Sequence, residues 1–285
     1  MSLRDSLAEL SPSRALRRRL VHRVRATFND LDAGERPVQP SDESLFERGS
    51  PIRMVHADVV AMMVGGMRGL LLQLLHPHAL QGVLDHSDFQ ADMHGRLRRT
   101  ARFIAVTTYG HRDDAEKAIE RVNRIHASVE GTLPDGTPYS ARDPQTLAWV
   151  HLAEATSFLD AHLRYVRPSM PMAEQDAYFR QFAVIARKLH AGPVPESRGE
   201  AAELELAMRP RLQGTDQARA VARMILQQRP RGSAAVQPLL AAAAVDLLPP
   251  YARTMLGLRS SGVEALPVRA ATYGLARTLR WAFGR

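Results

Sequence analysis

Cysteine and long apolar runs are both missing from this chain, and each absence excludes a class of protein. None of the 285 residues is cysteine, which excludes disulfide scaffolds, iron–sulfur clusters, cysteine-ligated zinc and other thiolate-bound metal centres. Any metal ion would be held by His, Asp, Glu, Tyr or Met. The most apolar stretch, AVQPLLAAAAVDLLPP, is interrupted by prolines and falls short of the roughly 20 residues of a membrane-spanning helix. We expect a soluble protein.

Lysine is also scarce, since Lys117 and Lys188 are the only two. Arginine therefore supplies nearly all of the basic side chains behind the net charge of +8. Such an excess is typical of proteins that bind nucleic acid, an anionic membrane surface or an anionic ligand, and a GC-rich genome produces it too. The first residues, MSLRDSLAELSPSR, lack the apolar core and cleavage site of a secretory signal, so we expect a cytoplasmic protein.

The composition favours helix, because Ala, Leu and Arg are abundant while strand-like alternation of β-branched and aromatic residues is rare. We predict an all-α fold, a single helical domain of about eight or more helices. The expected domain spans residues 45–260, after an amphipathic helix and loop over 1–44 and before a helical tail over 261–285. Apolar periodicity and breaker residues predict helices over 13–28, 51–75, 92–109, 113–129, 143–165, 173–190, 200–209, 215–228 and 234–246.

Local signals add detail to this outline. In the first helix, Leu16, Leu20, Val24 and Phe28 form one stripe, which predicts that this face lies on an apolar surface. Asp143 before Pro144 is a typical helix N-cap. The segment GTLPDGTPYSARDP carries paired turn signals and predicts a loop or a short hairpin.

Three glycines interrupt the predicted helix over 51–75, namely Gly65, Gly66 and Gly69. Each costs up to ~1 kcal/mol relative to alanine in a helix interior. Close packing against another helix would compensate that cost, and so would a flat ligand lying against the backbone. The sequence leaves both explanations open.

Histidine is concentrated in one part of the chain. His126 lies at the edge of an apolar stripe formed by Ala115, Ala118, Ile119, Val122, Ile125 and Val129. A buried imidazole needs a partner for at least one nitrogen; a metal ion would meet that need, and so would a hydrogen bond in the core. Seven of the eleven histidines lie between positions 56 and 126: His56, His76, His78, His86, His94, His111 and His126.

Arginines cluster in the segment RLRRT. On a helix, Arg96, Arg99 and Thr100 share one face, while Arg98 and Arg102 share another. The first face would direct guanidinium groups and a hydroxyl at an anionic or oxygen-bearing ligand, and the second would be solvated. A fully solvated basic face is the alternative.

Several of these motifs together resemble the rubber-oxygenase and MpaB-like family, which includes latex-clearing protein. They are GGMRGLLLQLLHPHALQGVLDHSDFQADMHGRLRRTARFIAVTTYG, RVNRIHASVEG, YSARDPQTLAWVH and LLPPYARTMLGL, over roughly residues 45 to 260. The resemblance implies a haem b-dependent oxygenase that acts with dioxygen on an apolar substrate, an isoprenoid or lipid-like chain. The proximal iron ligand would be the histidine of RIHASV, His126.

The resemblance also implies roles for other residues. Arg96 and Arg99 would position a haem propionate or a substrate oxygen, and Thr100 and His76 would line the distal pocket. Gly65, Gly66 and Gly69 would lie against the cofactor.

The chain departs from latex-clearing protein on the distal side. Arg99 stands where that protein has a lysine that can bind iron, and a guanidinium offers no neutral nitrogen for iron. That protein also uses a distal glutamate as a base, whereas this chain has no glutamate between Glu47 and Glu116. The matching neighbourhood offers His76, Asp85 and Asp88 instead.

Other functions remain open at this point. His86, Asp88 and His126 formally match the facial triad of non-haem iron oxygenases, although Ser87 or Asp88 capping a turn explains the same residues. A haem sensor or carrier without turnover is a second alternative. A third is a helical protein that binds nucleic acid or a membrane surface through the arginines of residues 14–25. Of these two partners we do not expect nucleic acid, whereas contact with a membrane surface stays open.

Overall fold

The computed structural model describes residues 12–29, 34–87, 92–228, 235–259 and 265–284. Within these residues the chain is all-α, as predicted, with one two-stranded hairpin. The helices are α1 (Pro12–Phe28), α2 (Pro51–Val55), α3 (Val59–Gln73), α4 (Pro77–His86), α5 (Met93–Tyr109), α6 (Arg112–His126), α7 (Pro144–Tyr165), α8 (Met172–Lys188), α9 (Arg198–Met208), α10 (Asp216–Gln227), α11 (Gln237–Leu247), α12 (Pro250–Met255) and α13 (Ala265–Phe283). A 3₁₀ turn at Arg209–Arg211 follows α9, and strands β1 (Glu130–Thr132) and β2 (Pro138–Ser140) lie between α6 and α7.

The centre of the fold is the contact between α3 and α7, two largely buried helices. A Cβ atom at Gly65 would lie 2.9 Å from both the Phe158 ring and the Ser157 carbonyl oxygen, and one at Gly69 would lie 3.5 Å from the Ala153 carbonyl oxygen. Hydrogen at these positions lets the two backbones approach closely. Close helix packing therefore explains Gly65 and Gly69.

Side-chain caps fix where several helices begin. The Asp143 carboxylate accepts from the Thr146 backbone N–H at 2.8 Å, which confirms the predicted cap of α7. Asp58 caps α3 in the same way through the Ala61 N–H, at 2.9 Å. Each such bond satisfies one of the backbone donors that a helix leaves free at its N-terminus.

Two predicted boundaries are wrong. The single helix expected over 51–75 is broken at residues 56–58, because Asp58 adopts an extended conformation and starts a new helix. The sequence predicts that Pro77 ends that helix, but Pro77 is also the first residue of α4, which the sequence did not predict. Proline favours this first helical position. The segment predicted as a loop or a short hairpin forms the hairpin, with Gly131 opposite Tyr139.

The helices at the two ends of the described chain pack on the core and on each other. α13 contacts α3, α7 and α11, and two ion pairs fix it: Arg280 to Asp58 at 2.8 Å and Arg269 to Asp246 at 2.7 Å. In α1, Leu20 and Val24 pack on the core as predicted, but Leu16 is 52% exposed; the Phe28 side chain lies outside the described residues.

Among the described residues, no single helix has both the length and the apolar composition that a membrane span requires. One bent pair, α3 with α4, meets this requirement on length and composition alone.

Candidate functional site

Polar side chains from four helices lie together in the largely apolar interior, and we call this group the central polar cluster. The Gln73 side chain donates to Glu154 Oε1 at 3.3 Å. The Arg96 charge acts on the pKa of both Glu154 and His126, and the His126 charge acts on the pKa of His151. The cluster comprises Gln73 at the end of α3, Arg96 on α5, His126 at the end of α6, and His151 and Glu154 on α7.

His126 is partly buried in the last turn of α6. Burial lowers its pKa, and the nearby Arg96 guanidinium lowers it further, so the imidazole is neutral near pH 7. Its Nδ1 atom is buried without a hydrogen-bond partner among the described residues. A neutral imidazole with an unsatisfied nitrogen has the state that metal coordination requires.

His151 and Glu154 extend the cluster along one face of α7, since residues three apart are neighbours on a helix. His151 is buried, and burial together with the His126 charge lowers its pKa to about 4. Its Nδ1 also lacks a partner within the described chain. Burial raises the pKa of Glu154 to about 7, against the opposing effects of the Gln73 hydrogen bond and the Arg96 charge.

Arg96 is the cationic member of the central polar cluster, and the charges of Arg99 and Glu154 both act on it. Burial lowers its pKa, and the described residues provide no ion pair within 4.0 Å for it. Together with Gln73 it forms the polar part of a small cavity otherwise lined by Leu70, Leu74, Ala79, Leu80, Val83 and Ile225. This cavity has a volume of only about 20 Å³, which is room for about one water molecule. A larger ligand of the Arg96 guanidinium would require the surrounding side chains to move.

A larger cavity of about 420 Å³ opens beside His126. This volume lies within the range of small-molecule and cofactor sites. Its lining combines Leu147 and Leu189 with the basic side chains Arg124, Arg142 and His190. The imidazole of His126 thus lies between this cavity and the buried remainder of the cluster.

Of the other predicted site residues, Thr100 is partly buried on α5, the helix that carries Arg96. The Arg99 side chain is 63% exposed and pairs with Asp92 at 3.2 Å, although its charge also lowers the pKa of Arg96. It therefore lies at the solvent side of the cluster. Its predicted role stays a prediction.

His76 is buried at the N-cap position of α4, and its ring lies edge-on to His78 with 5.4 Å between centroids. Burial lowers its pKa to about 4, and the charges that act on it are those of His78, Asp143 and Arg211. None of these belongs to the central polar cluster, and the expected distal role of His76 stays a prediction.

The histidines that are close in sequence are spread out in space. His56 is a satisfied core residue, with Nδ1 2.9 Å from the Thr108 hydroxyl, whereas His86 reaches the Glu130 carbonyl oxygen at 2.9 Å on the surface. The His94 side chain and Asp88 lie outside the described residues. Within the described parts of the chain, no three His, Asp or Glu side chains form a metal-binding group.

Helix packing accounts for Gly65 and Gly69, both of which were predicted to lie against a cofactor. Gly65 and Gly69 face α7, as described above, and a Cβ at Gly66 would lie 3.8 Å from the Phe158 ring. These contacts favour the packing explanation. The predicted cofactor contact of Gly65, Gly66 and Gly69 stays a prediction.

Sequence reasoning missed Gln73, His151 and Glu154. Glu154 lies beyond the glutamate-free segment between Glu47 and Glu116, where the family resemblance places the distal base. A usable signal was present: His151 and Glu154 stand three residues apart in the otherwise apolar run LAWVHLAEATSFL. Two ionisable side chains on one face of a buried helix indicate a functional site or a polar network.

Comparison with known protein families gives one match. Residues 53–281 match the family described as ER-bound oxygenase mpaB/B'/Rubber oxygenase, catalytic domain. No curated protein and no solved structure matches the chain.

Proposed function

We propose, because this chain belongs to the family of mpaB-type and rubber oxygenases, that it is a haem b-dependent oxygenase with His126 as the axial iron ligand. The family match supports an oxygenase in general terms. The finer assignment depends on one observation: the Nδ1 atom of His126 is buried, and among the described residues it has no hydrogen-bond partner. The desolvated Arg96 guanidinium lies close enough to lower the pKa of this imidazole.

The side-chain chemistry of the central polar cluster suits a haem group, because it offers an imidazole for iron and a guanidinium for a propionate. His126 would coordinate the iron, and Arg96 would hold a propionate or a substrate oxygen through its guanidinium. Leu70, Leu74 and Leu80 offer apolar contacts beside Arg96. When bound, haem supplies the chemistry of dioxygen activation, which amino-acid side chains do not provide.

The protein's own contribution is to set protonation states and polarity around that group. Burial and Arg96 keep His126 neutral, the form in which imidazole binds iron. Glu154, with its pKa near 7, can hold or release a proton close to Arg96. Thr100 lies on the same helix as Arg96 and would offer a hydroxyl to the distal side. The match to a family that includes rubber oxygenases supports an isoprenoid or lipid-like chain as the substrate.

The absorption spectrum of the protein purified after expression with a haem supply tests this proposal. We expect a Soret band in the wild type, its loss or marked shift in His126→Ala, and its recovery when free imidazole is added. His86→Ala, at an exposed histidine, is the matched control and should retain the wild-type spectrum. A colourless wild type would refute the cofactor, and an unchanged band in His126→Ala would refute the ligand assignment.

Turnover is tested separately with an oxygen electrode and an unsaturated isoprenoid chain. Consumption of dioxygen together with the chain supports an oxygenase. A haem-loaded protein that consumes neither would instead be a carrier or sensor.

A further inference from the structure

The outer face of α13 is unusually apolar for an exposed surface. Leu266, Tyr273 and Trp281 are 58%, 47% and 47% exposed. At 100° per residue they fall within an arc of about 80° on the helix. Ala270 and Arg277 lie in the same arc and are also exposed. Exposed apolar side chains that recur about every two turns along one helix face form a stripe, which indicates an interaction surface rather than scattered surface residues.

This face belongs to a helix that is firmly attached to the core. Its opposite side buries Thr272, Ala276 and Leu279. Ion pairs to Asp246 and Asp58, described above, fix both halves of the helix. The exposure of the apolar side chains is therefore a consequence of how α13 packs, and turning the helix inward would bury arginines and break both ion pairs.

A strongly basic helix, α1, packs against the C-terminal end of α13. Arg17 of α1 donates through Nε to the Ala282 carbonyl oxygen at 2.7 Å, next to Trp281. α1 contains six arginines and no acidic residue, and Arg14, Arg19 and Arg25 are exposed. α13 contains no acidic residue either. The neighbouring helices thus combine positive charge with exposed Leu, Tyr and Trp side chains.

We infer that α1 and the outer face of α13 form a docking surface for an anionic lipid bilayer. Arginines are attracted to anionic head groups, while Trp and Tyr favour the boundary between head groups and acyl chains. The combination of a basic side and an apolar side is typical of helices that lie in the plane of a membrane surface. This inference is independent of the proposed oxygenase function.

The other candidate occupants fit less well. A nucleic acid would engage the arginines but would leave Leu266 and its neighbours without apolar partners. A second copy would cover the apolar side chains of α13 but would offer the exposed arginines no acidic partner from α1 or α13, since neither helix contains an acidic residue.

The full-length protein carries its own reporter for the test. It has two tryptophans; Trp149 is buried, with 1% exposure, and Trp281 is 47% exposed. We expect a blue shift of Trp281 fluorescence and co-flotation of the protein with vesicles of phosphatidylcholine and phosphatidylglycerol. Vesicles of phosphatidylcholine alone should bind much more weakly. High salt should weaken binding to the anionic vesicles, because it screens the arginines.

Matched variants assign the binding to the two parts of the surface. Replacing two arginines, Arg14→Gln with Arg19→Gln, should lower vesicle affinity by about tenfold or more, since each basic side chain near an anionic surface contributes ~1 kcal/mol. Leu266→Ser with Tyr273→Ser should remove most of the Trp281 blue shift. The control Leu206→Ser, at a 61% exposed leucine of α9, should bind as the wild type does.

Three results would overturn the inference. One is the absence of flotation with anionic vesicles at low salt, and another is equal binding by the wild type and the Leu266→Ser/Tyr273→Ser variant. The third is a different occupant: tighter binding to a single-stranded oligonucleotide than to vesicles, or a dimer in solution that the same double variant converts to monomer.

Discussion

Glu154 offers a sharp test of the central polar cluster. Burial raises its pKa from 4.5 to about 7, so the folded protein binds this proton more tightly than the unfolded chain does. Stability from this group is fully present below about pH 4.5 and is lost as the pH rises through about 7. At 1.36 kcal/mol per pKa unit, this rise of about 2.5 units means that ionisation inside the fold costs at most about 3.4 kcal/mol.

Glu154→Gln keeps the size of the side chain and its contact with Gln73 but cannot ionise. We expect the variant to be more stable than the wild type by about 1–3 kcal/mol near pH 8, the lower values reflecting partial solvent access. Near pH 5 this advantage should largely disappear. Burial also lowers the pKa of His56, His76 and His151, so the folded protein loses stability as the pH falls below about 6.5. This loss is the same in the wild type and in Glu154→Gln, and it therefore cancels when their free energies of unfolding are subtracted.

Urea unfolding followed by circular dichroism at the two pH values measures that difference. Glu120→Gln, at an exposed glutamate on α6, controls for the loss of one negative charge. If Glu154→Gln were destabilising by the same amount at both pH values, Glu154 would be an ordinary hydrogen-bonded carboxylate. The assignment of a desolvated carboxyl near Arg96 would then be wrong.

Two further predictions concern the helices that carry the cluster. Gly65→Ala should destabilise the protein by about 1–3 kcal/mol in urea unfolding, because the added Cβ meets the α7 backbone. Gly274→Ala is the control, because no atom lies within 4 Å of the added Cβ. Helix propensity should make this variant more stable than the wild type by up to ~1 kcal/mol. Equal effects of the two substitutions would refute the packing argument. Asp143→Ala should lower the free energy of unfolding by about 1 kcal/mol, because α7 loses its N-cap. Asp143→Asn should keep most of the stability of the wild type, because asparagine can also cap the helix. A loss of the same size in both variants would contradict the capping role.

The helices could be predicted from the sequence because their signals are local. Asp143 and the proline after it marked the start of α7, and apolar spacing marked most of the other helices. The break at Asp58 was missed because the apolar pattern continues on both sides of it. α4 was missed because Pro77 both ends one helix and begins the next, and local sequence supports either reading.

The candidate site was harder to predict because it depends on tertiary contacts. His126 and Arg96 could be singled out through motifs and family resemblance. Whether Arg99 points inward depends on how α5 is rotated against its neighbours, and its pairing with Asp92 turns it to solvent. Glu154 becomes notable only once α3 and α7 are packed, because its burial and its contact with Gln73 come from that packing.

The carboxylate of Asp58 connects two distant parts of the chain. One oxygen caps the start of α3 through Ala61, and the other pairs with Arg280 near the C-terminal end of α13. Shortening the protein before Arg280 would leave an anion buried at the head of the helix that ends at Gln73, without its counter-ion. The C-terminal turns of α13 thus neutralise the charge that caps α3, the helix that ends at the candidate site, although α13 and α3 are far apart in sequence.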